Sequence, residues 1–320
     1  MPEGFADPQL SVGAAPEGFA DPQLEQFVRG APTLDGFDVA TLREGTLARA
    51  GMRTRGPELD SVTDLFAGEL PVRLYRPSAG ALAVVVYLHG GGWTIGSLET
   101  HDRACRRLAA GSGCAVVSVD YRLAPEHPWP ASVDDAVAAL RWVRQAGEAD
   151  LGPMTGQVAA AGDSAGGTLA ALACLRLRDE DPESLPDLQV LLNANTDLTG
   201  GQPSMREKAT GWGLEAPMIR FFNAQWVPDQ GLWSDPGVSP LWAADVSGLP
   251  AALVVTAEHD PLRDEGEAYA ERLRSAGVAV HLRREPGLIH NVIMLDEVSP
   301  SCTAAADRVA ADIRIFFSDA

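Results

Sequence analysis

Gln157-Val158-Ala159-Ala160-Ala161-Gly162-Asp163-Ser164-Ala165-Gly166-Gly167-Thr168 is the stretch whose reading decides the fold. Its first five residues form an apolar run of strand length, and Thr168 to Arg178 reads as helix. Between them Ser164 stands at the apex of a turn. Gly162 to Gly166 fits the Gly-x-Ser-x-Gly pattern, in which a serine is exposed on a sharp strand-to-helix turn. Such a turn strains the serine backbone, and larger neighbours would clash with the strand or the helix. The start of the following helix lies under the serine, where its dipole favours developing negative charge. Alone, this pattern is a moderately weak signal. The chain has 32 glycines, and a plain Gly-rich turn would look much the same.

A second motif adds weight. His89-Gly90-Gly91-Gly92-Trp93 follows the apolar run Ala83 to Leu88. A glycine triplet at the end of a buried strand lets backbone N–H groups approach a ligand with no Cβ in the way. Loops of this type hold the oxyanion opposite a nucleophilic serine. A phosphate-binding loop would end in Gly-Lys-Ser/Thr, whereas Trp93-Thr94 follows here.

Outward from these motifs, strands and helices alternate. Asp60–Phe66 and Pro71–Tyr75 are predicted as an antiparallel pair. Strands are then expected at 82–88, 114–120, 157–162, 187–192, 251–257 and 278–283. Helices are expected at 100–111, 132–146, 165–178, 264–276 and 301–317, with amphipathic helices over about 23–50. The strands are near-continuous apolar runs, which implies burial on both faces. The alternation predicts an α/β fold with a mostly parallel sheet flanked by helices. From Thr199 to Asp235 the rhythm stops, in a segment holding Trp212, Phe221, Phe222 and Trp226. Large apolar groups after a strand end suit a lid over a pocket; the plainer alternative is a surface excursion whose aromatics pack down on the body.

The 320 residues allow one large domain with an accessory part, or two. A hydrophobic fraction of 46% is ample for a core. A formal charge of −19 argues against a basic nucleic-acid-binding face. No apolar run reaches the length of a membrane span, so no integral membrane association is expected. Met1–Pro8 lacks the features of a secretory signal. Cys105, Cys114, Cys174 and Cys302 are widely spaced, which points to free buried thiols and a cytoplasmic protein. No HExxH motif or Cys/His cluster has metal-ligand spacing, so neither metal nor organic cofactor is expected. Pro2–Leu10 and Pro16–Leu24 both read PEGFADPQL. Two short copies do not make a solenoid. A recent duplication, or an artefact, is the simpler cause, and the second copy is the one expected to join the fold.

A nucleophilic serine needs a base, and the base needs an orienting carboxylate. In parallel sheets such groups sit at the C-terminal ends of strands. Asp260 follows the strand at 251–257, and His290 follows the strand at 278–283 by a short loop. His259 and Asp264 are the rivals. His259 should point away from its neighbour Asp260, and Asp264 reads as an N-cap or first-turn residue of the next helix.

In these residues the chain resembles the hormone-sensitive-lipase-like family of α/β-hydrolase esterases, bacterial family IV. The matching blocks are His89–Trp93, Asp120–His127, Gly162–Gly167, Asp260–Gly266 and Gly287–Asn291, in that order. The resemblance implies an α/β-hydrolase fold with a helical cap. Residues 1–55 would be an N-terminal cap segment, 56–198 and 236–320 the two parts of the core, and 199–235 an inserted cap segment. It implies a serine carboxylesterase for short- to medium-chain esters, with Ser164 as nucleophile, Asp260 as orienter and His290 as base. Gly91, Gly92 and Ala165 would donate to the oxyanion. Trp93, Trp212, Phe221 and Ile289 are candidates for the substrate pocket. The partner would be a small-molecule ester, and a homodimer is left open. The Tyr121–His127 block has no chemistry derivable from its residues, and a structural role is expected. Acyl transfer, amide cleavage or ligand reception without catalysis are the alternatives on such a scaffold.

Overall fold

Every residue of the run Leu82–Leu88 is buried, as a strand covered on both faces must be. Its side chains split by parity. Val84, Val86 and Leu88 join one hydrophobic cluster, while Ala83, Val85 and Tyr87 join a second on the opposite face. The protein is described here by a computed structural model covering residues 18–30 and 38–318.

Eight strands form one sheet: β1 (Ser61–Ala67), β2 (Leu70–Arg76), β3 (Leu82–Leu88), β4 (Ala115–Val119), β5 (Met154–Asp163), β6 (Leu188–Leu192), β7 (Ala251–His259) and β8 (Val280–Ile289). Their spatial order is β1-β2-β4-β3-β5-β6-β7-β8. The β1–β2 and β2–β4 pairings are antiparallel, and the rest are parallel. Ten helices accompany them among the described residues. Outside the alternation at the N-terminus are α1 (Pro22–Gly30) and α2 (Val39–Met52). Within the alternation come α3 (Leu98–Ser112), α4 (Ala131–Gln145), the short α5 (Glu148–Leu151) and α6 (Ala165–Glu180). Then follow α7 (Pro203–Glu207), α8 (Ala216–Trp226), α9 (Arg263–Ser275) and α10 (Pro300–Ser318). Side chains of α4, α6 and α9 cover one face of the sheet, and those of α3 and α10 the other.

Most expected elements lie within a few residues of their places. The last strand is a correction. It was expected to end at Arg283, but β8 continues to Ile289. Pro286 and Gly287 suggested a loop, yet pairing with β7 resumes after a register shift, and His259 lies opposite Ile289. His290 therefore leaves the strand end directly.

The second PEGFADPQL copy is described from Gly18 onward; the first lies outside the described residues. Phe19 packs on Trp212 at 4.9 Å between ring centroids. The Ala20 N–H donates to the Gly287 carbonyl at 2.8 Å, and Leu24 is fully buried. The Asp21 carboxylate caps α1 through the Leu24 N–H at 2.8 Å and accepts from the Ser299 hydroxyl. In α2, Arg43 donates to both carboxylate oxygens of Glu126, at 2.8 and 2.7 Å, and to the Thr94 and Ala124 carbonyls. The Arg43 hydrogen bonds hold the Glu126 pKa down at about 2. This gives the Tyr121–His127 block its structural part. It grips α2 at Glu126, and it braces the glycine loop through the Tyr121 hydroxyl on the His89 carbonyl and the Ala124 N–H on the Trp93 carbonyl.

Candidate active site

Ser164 sits between β5 and α6 with φ 53° and ψ −121°. This positive φ is unusual for a residue with a side chain and marks stored strain. The turn is held by the Ser164 N–H, which donates to the Leu192 carbonyl at 2.8 Å. The flanking glycines leave room for it. A Cβ on Gly166 would land on the Leu88 carbonyl oxygen, and one on Gly162 on the Gly166 backbone.

Three expected residues come together. His290 Nε2 lies 2.9 Å from Ser164 Oγ, and His290 Nδ1 lies 2.8 Å from Asp260 Oδ2. A carboxylate oxygen can only accept from the ring, so Nδ1 carries the proton and Nε2 faces the serine hydroxyl as an acceptor. Asp260 is 0% exposed and His290 4%. Asp260 Oδ1 also accepts from the Leu262 N–H at 2.9 Å, and Oδ2 from Asn193 Nδ2 at 2.8 Å.

Both rivals are engaged elsewhere. His259 stacks on Trp212 at 3.8 Å, donates through Nε2 to the Gly18 carbonyl and meets Lys208 through Nδ1. Asp264 lies in the first turn of α9, where it accepts from the Ser204 N–H and pairs with Arg263.

Leu88 pairs with Gly162, so the glycine loop leaves the sheet beside the serine turn. Gly91 and Gly92 have φ of 117° and 57°, open to glycine and costly for other residues. A Cβ on Gly91 would strike the Ile95 carbonyl, and one on Gly92 the Phe222 ring. Among the described residues no acceptor takes the N–H of Gly91 or Gly92. Ala165 opens α6, where the first-turn N–H groups lack partners within the helix.

Under this loop lies a buried polar cluster that the sequence did not reveal. Asp163, 2% exposed, accepts from the Tyr87 hydroxyl at 2.6 Å and from the Gly90 N–H at 2.9 Å. His101 Nε2 stands 3.6 Å from the same oxygen. Burial works against the Asp163 charge, but His101 and these hydrogen bonds outweigh it, and its pKa stays below the usual value. His89 stacks between His101 and Tyr121, and burial drives its pKa from 6.5 to about 3. Across that window the unfolded chain binds a proton on His89 that the folded chain refuses, so stability falls as pH drops. The slope from this one group is at most about 1.4 kcal/mol per pH unit. In denaturant melts at pH 6.5 and 4.5, His89→Gln should lose less stability on acidification than the wild type. Equal losses would contradict the assignment.

A cavity of about 560 Å³ opens beside the site. Gly90, Gly91, Asp163 and His101 form its inner wall, while Phe27, Met294 and Leu295 line its apolar side. Trp93, Trp212, Phe221 and Ile289, expected to line the pocket, are not among its lining residues. Trp93 is turned into the core and stacks on Trp226 at 4.0 Å; Trp212 is committed to His259 and Phe19. Ile289 is buried at the end of β8, and Phe221 packs edge-on against Phe222.

Comparisons with known proteins identify the family. A family described as alpha/beta hydrolase fold matches residues 85–294. The chain belongs to the α/β-hydrolases, in their hormone-sensitive-lipase-like branch. This α/β-hydrolase is 43% identical to the carboxylic ester hydrolase LipN of Mycobacterium tuberculosis, over 82% of this chain and 73% of that protein. It is 44% identical to the carboxylesterase NlhH of the same species, over 80% of this chain and 79% of that one. Among solved structures, the hyperthermophilic esterase from Pyrobaculum calidifontis superposes with a TM-score of 0.87 at 40% identity, covering 94% of this α/β-hydrolase and 99% of the other chain. No helix among the described residues is long and apolar enough to cross a membrane.

Proposed function

We propose that this α/β-hydrolase is a serine carboxylesterase, cleaving short- to medium-chain carboxylic esters through an acyl-enzyme on Ser164. One observation carries the reading: the relay from Ser164 Oγ through His290 to Asp260, with contacts of 2.9 and 2.8 Å. As Ser164 Oγ attacks the ester carbonyl carbon, its proton passes to His290 Nε2. The carbonyl oxygen becomes an oxyanion, to which Gly91, Gly92 and Ala165 donate their N–H groups; one such donor is worth about 10²–10³ in rate. Asp260 holds the ring in the required tautomer and steadies its positive charge. Collapse of the intermediate breaks the bond to the alkoxide, which leaves with the proton from His290. Water then attacks the acyl-enzyme by the same steps and releases the carboxylic acid.

The names of the relatives support ester chemistry, and the cavity beside Gly91 supports an acyl group of modest size. We assign the described residues up to 55, together with residues 199–235, as two cap segments. The docking of Phe19 on Trp212 supports a joint role for them. Four free, buried cysteines favour a cytoplasmic setting.

The test is initial rates on p-nitrophenyl esters from C2 to C12. Activity should peak at short to medium acyl length. If Met294 bounds the acyl chain, Met294→Ala should move that peak upward, by at most roughly fourfold in kcat/KM per added methylene, since burying one is worth about 0.8 kcal/mol. An unchanged profile would remove this cavity as the acyl site. No turnover of any ester, or alcoholysis outrunning hydrolysis, would favour amide cleavage or acyl transfer.

A further inference from the structure

Asp260 needs a fixed plane if its Oδ2 is to hold His290 Nδ1–H along one direction. Two of its contacts are ordinary: the ring itself and the Leu262 N–H, two residues on. The third comes from a different strand end. Asn193 is the first residue after β6, the strand between the nucleophile's β5 and the acid's β7. Its own N–H donates to the Val255 carbonyl at 2.8 Å, tying it to β7. Its side-chain amide then reaches Asp260 Oδ2 at 2.8 Å, on the same oxygen that takes His290 Nδ1–H. Since the acceptor is a carboxylate, the amide nitrogen must face it.

The backbone of Asn193 points the same way. Its φ is 49°, a region that most residues with a side chain avoid and asparagine tolerates. It is 2% exposed, directly after the apolar run Val190–Leu192, where an unpartnered amide would cost free energy. Position, conformation and burial converge on one hydrogen bond.

Resting on the esterase reading above, we propose that Asn193 is a positioning residue of this site: its side-chain amide locks the Asp260 carboxylate in the orientation from which it holds His290. It touches no reacting atom and acts through Asp260. Loss of the donor lets the carboxylate rock, and the ring loses part of its alignment on Ser164.

Asn193→Gly is the informative variant, because glycine keeps the positive φ at no steric cost while removing the donor. On p-nitrophenyl acetate it should lower kcat by about tenfold, the low end of what loss of a residue orienting a catalytic ligand costs. KM and the melting temperature should stay near the wild-type values. In an Asp260→Ala background Asn193→Gly should change kcat by less than twofold, since the group it acts through is gone. Asn193→Ser, which restores a donor, should recover part of the loss. Wild-type kcat in Asn193→Gly, or the same tenfold loss with and without Asp260, would overturn the proposal. Failure of the esterase reading shows separately, as absence of turnover by the wild-type protein.

Discussion

Ser164→Ala should lower kcat on p-nitrophenyl esters by about 10⁴-fold or more while leaving the fold intact. Among the described residues the serine hydroxyl makes one hydrogen bond, to His290 Nε2, and its removal opens no cavity in the hydrophobic clusters. The residual rate should be that of a site that still holds the ester beside the glycine loop but has lost its nucleophile. His290→Ala should fall to a similar level, and the double variant little further, because the two act as one unit. Circular dichroism and the melting temperature check that the fold survives. A Ser164→Ala protein keeping a tenth of the wild-type kcat would remove this residue from the chemistry.

Gly166→Ala should be the most damaging added methyl group among the described glycines. Its Cβ would fall on the Leu88 carbonyl oxygen, which belongs to the backbone of β3 and cannot swing aside as a side chain could. Either α6 shifts away from the end of β3 or the loop after Leu88 moves; both carry the site. We expect a loss of at least about 3 kcal/mol, at the upper end for overpacking, or no recoverable folded protein. Gly113→Ala is the control for a simple glycine effect. Unlike Gly166 it has a positive φ, 74°, but its added Cβ meets nothing within 4 Å, so its cost should be the conformational one alone and smaller than the clash. Equal melting temperatures for the two variants would contradict the packing argument.

The legible parts of the site were those whose physics is local. Small residues around Ser164 and the glycine triplet after Leu88 announce close backbone approach within a few positions of sequence. Asp260 and His290 were readable because each follows a strand and parallel sheets gather such ends. The end of β8 was misplaced because Pro286 and Gly287 look like turn residues, while the pairing that overrides them is supplied by β7. The cavity beside the glycine loop was not legible for a similar reason. Trp93 looked like a wall of the site, and its stacking partner Trp226 lies far along the chain. The cavity wall is assembled from Phe27, Ile95 and Met294, which share no pattern. Asn193 did leave a trace, an amide directly after the apolar run Val190–Leu192, but its partner depends on β6 lying between β5 and β7.

A covalent intermediate at Ser164 is the central step of the proposed chemistry, and trapping it is the most direct measurement. The protein would be mixed with excess p-nitrophenyl acetate, quenched in acid within milliseconds, and digested for mass spectrometry. The account predicts a burst of p-nitrophenol of about one equivalent or less, with the acetyl mass on the peptide containing Ser164 and none in Ser164→Ala. An acetyl group found only on another residue, or turnover at full rate with no acyl-peptide at any quench time, would contradict it.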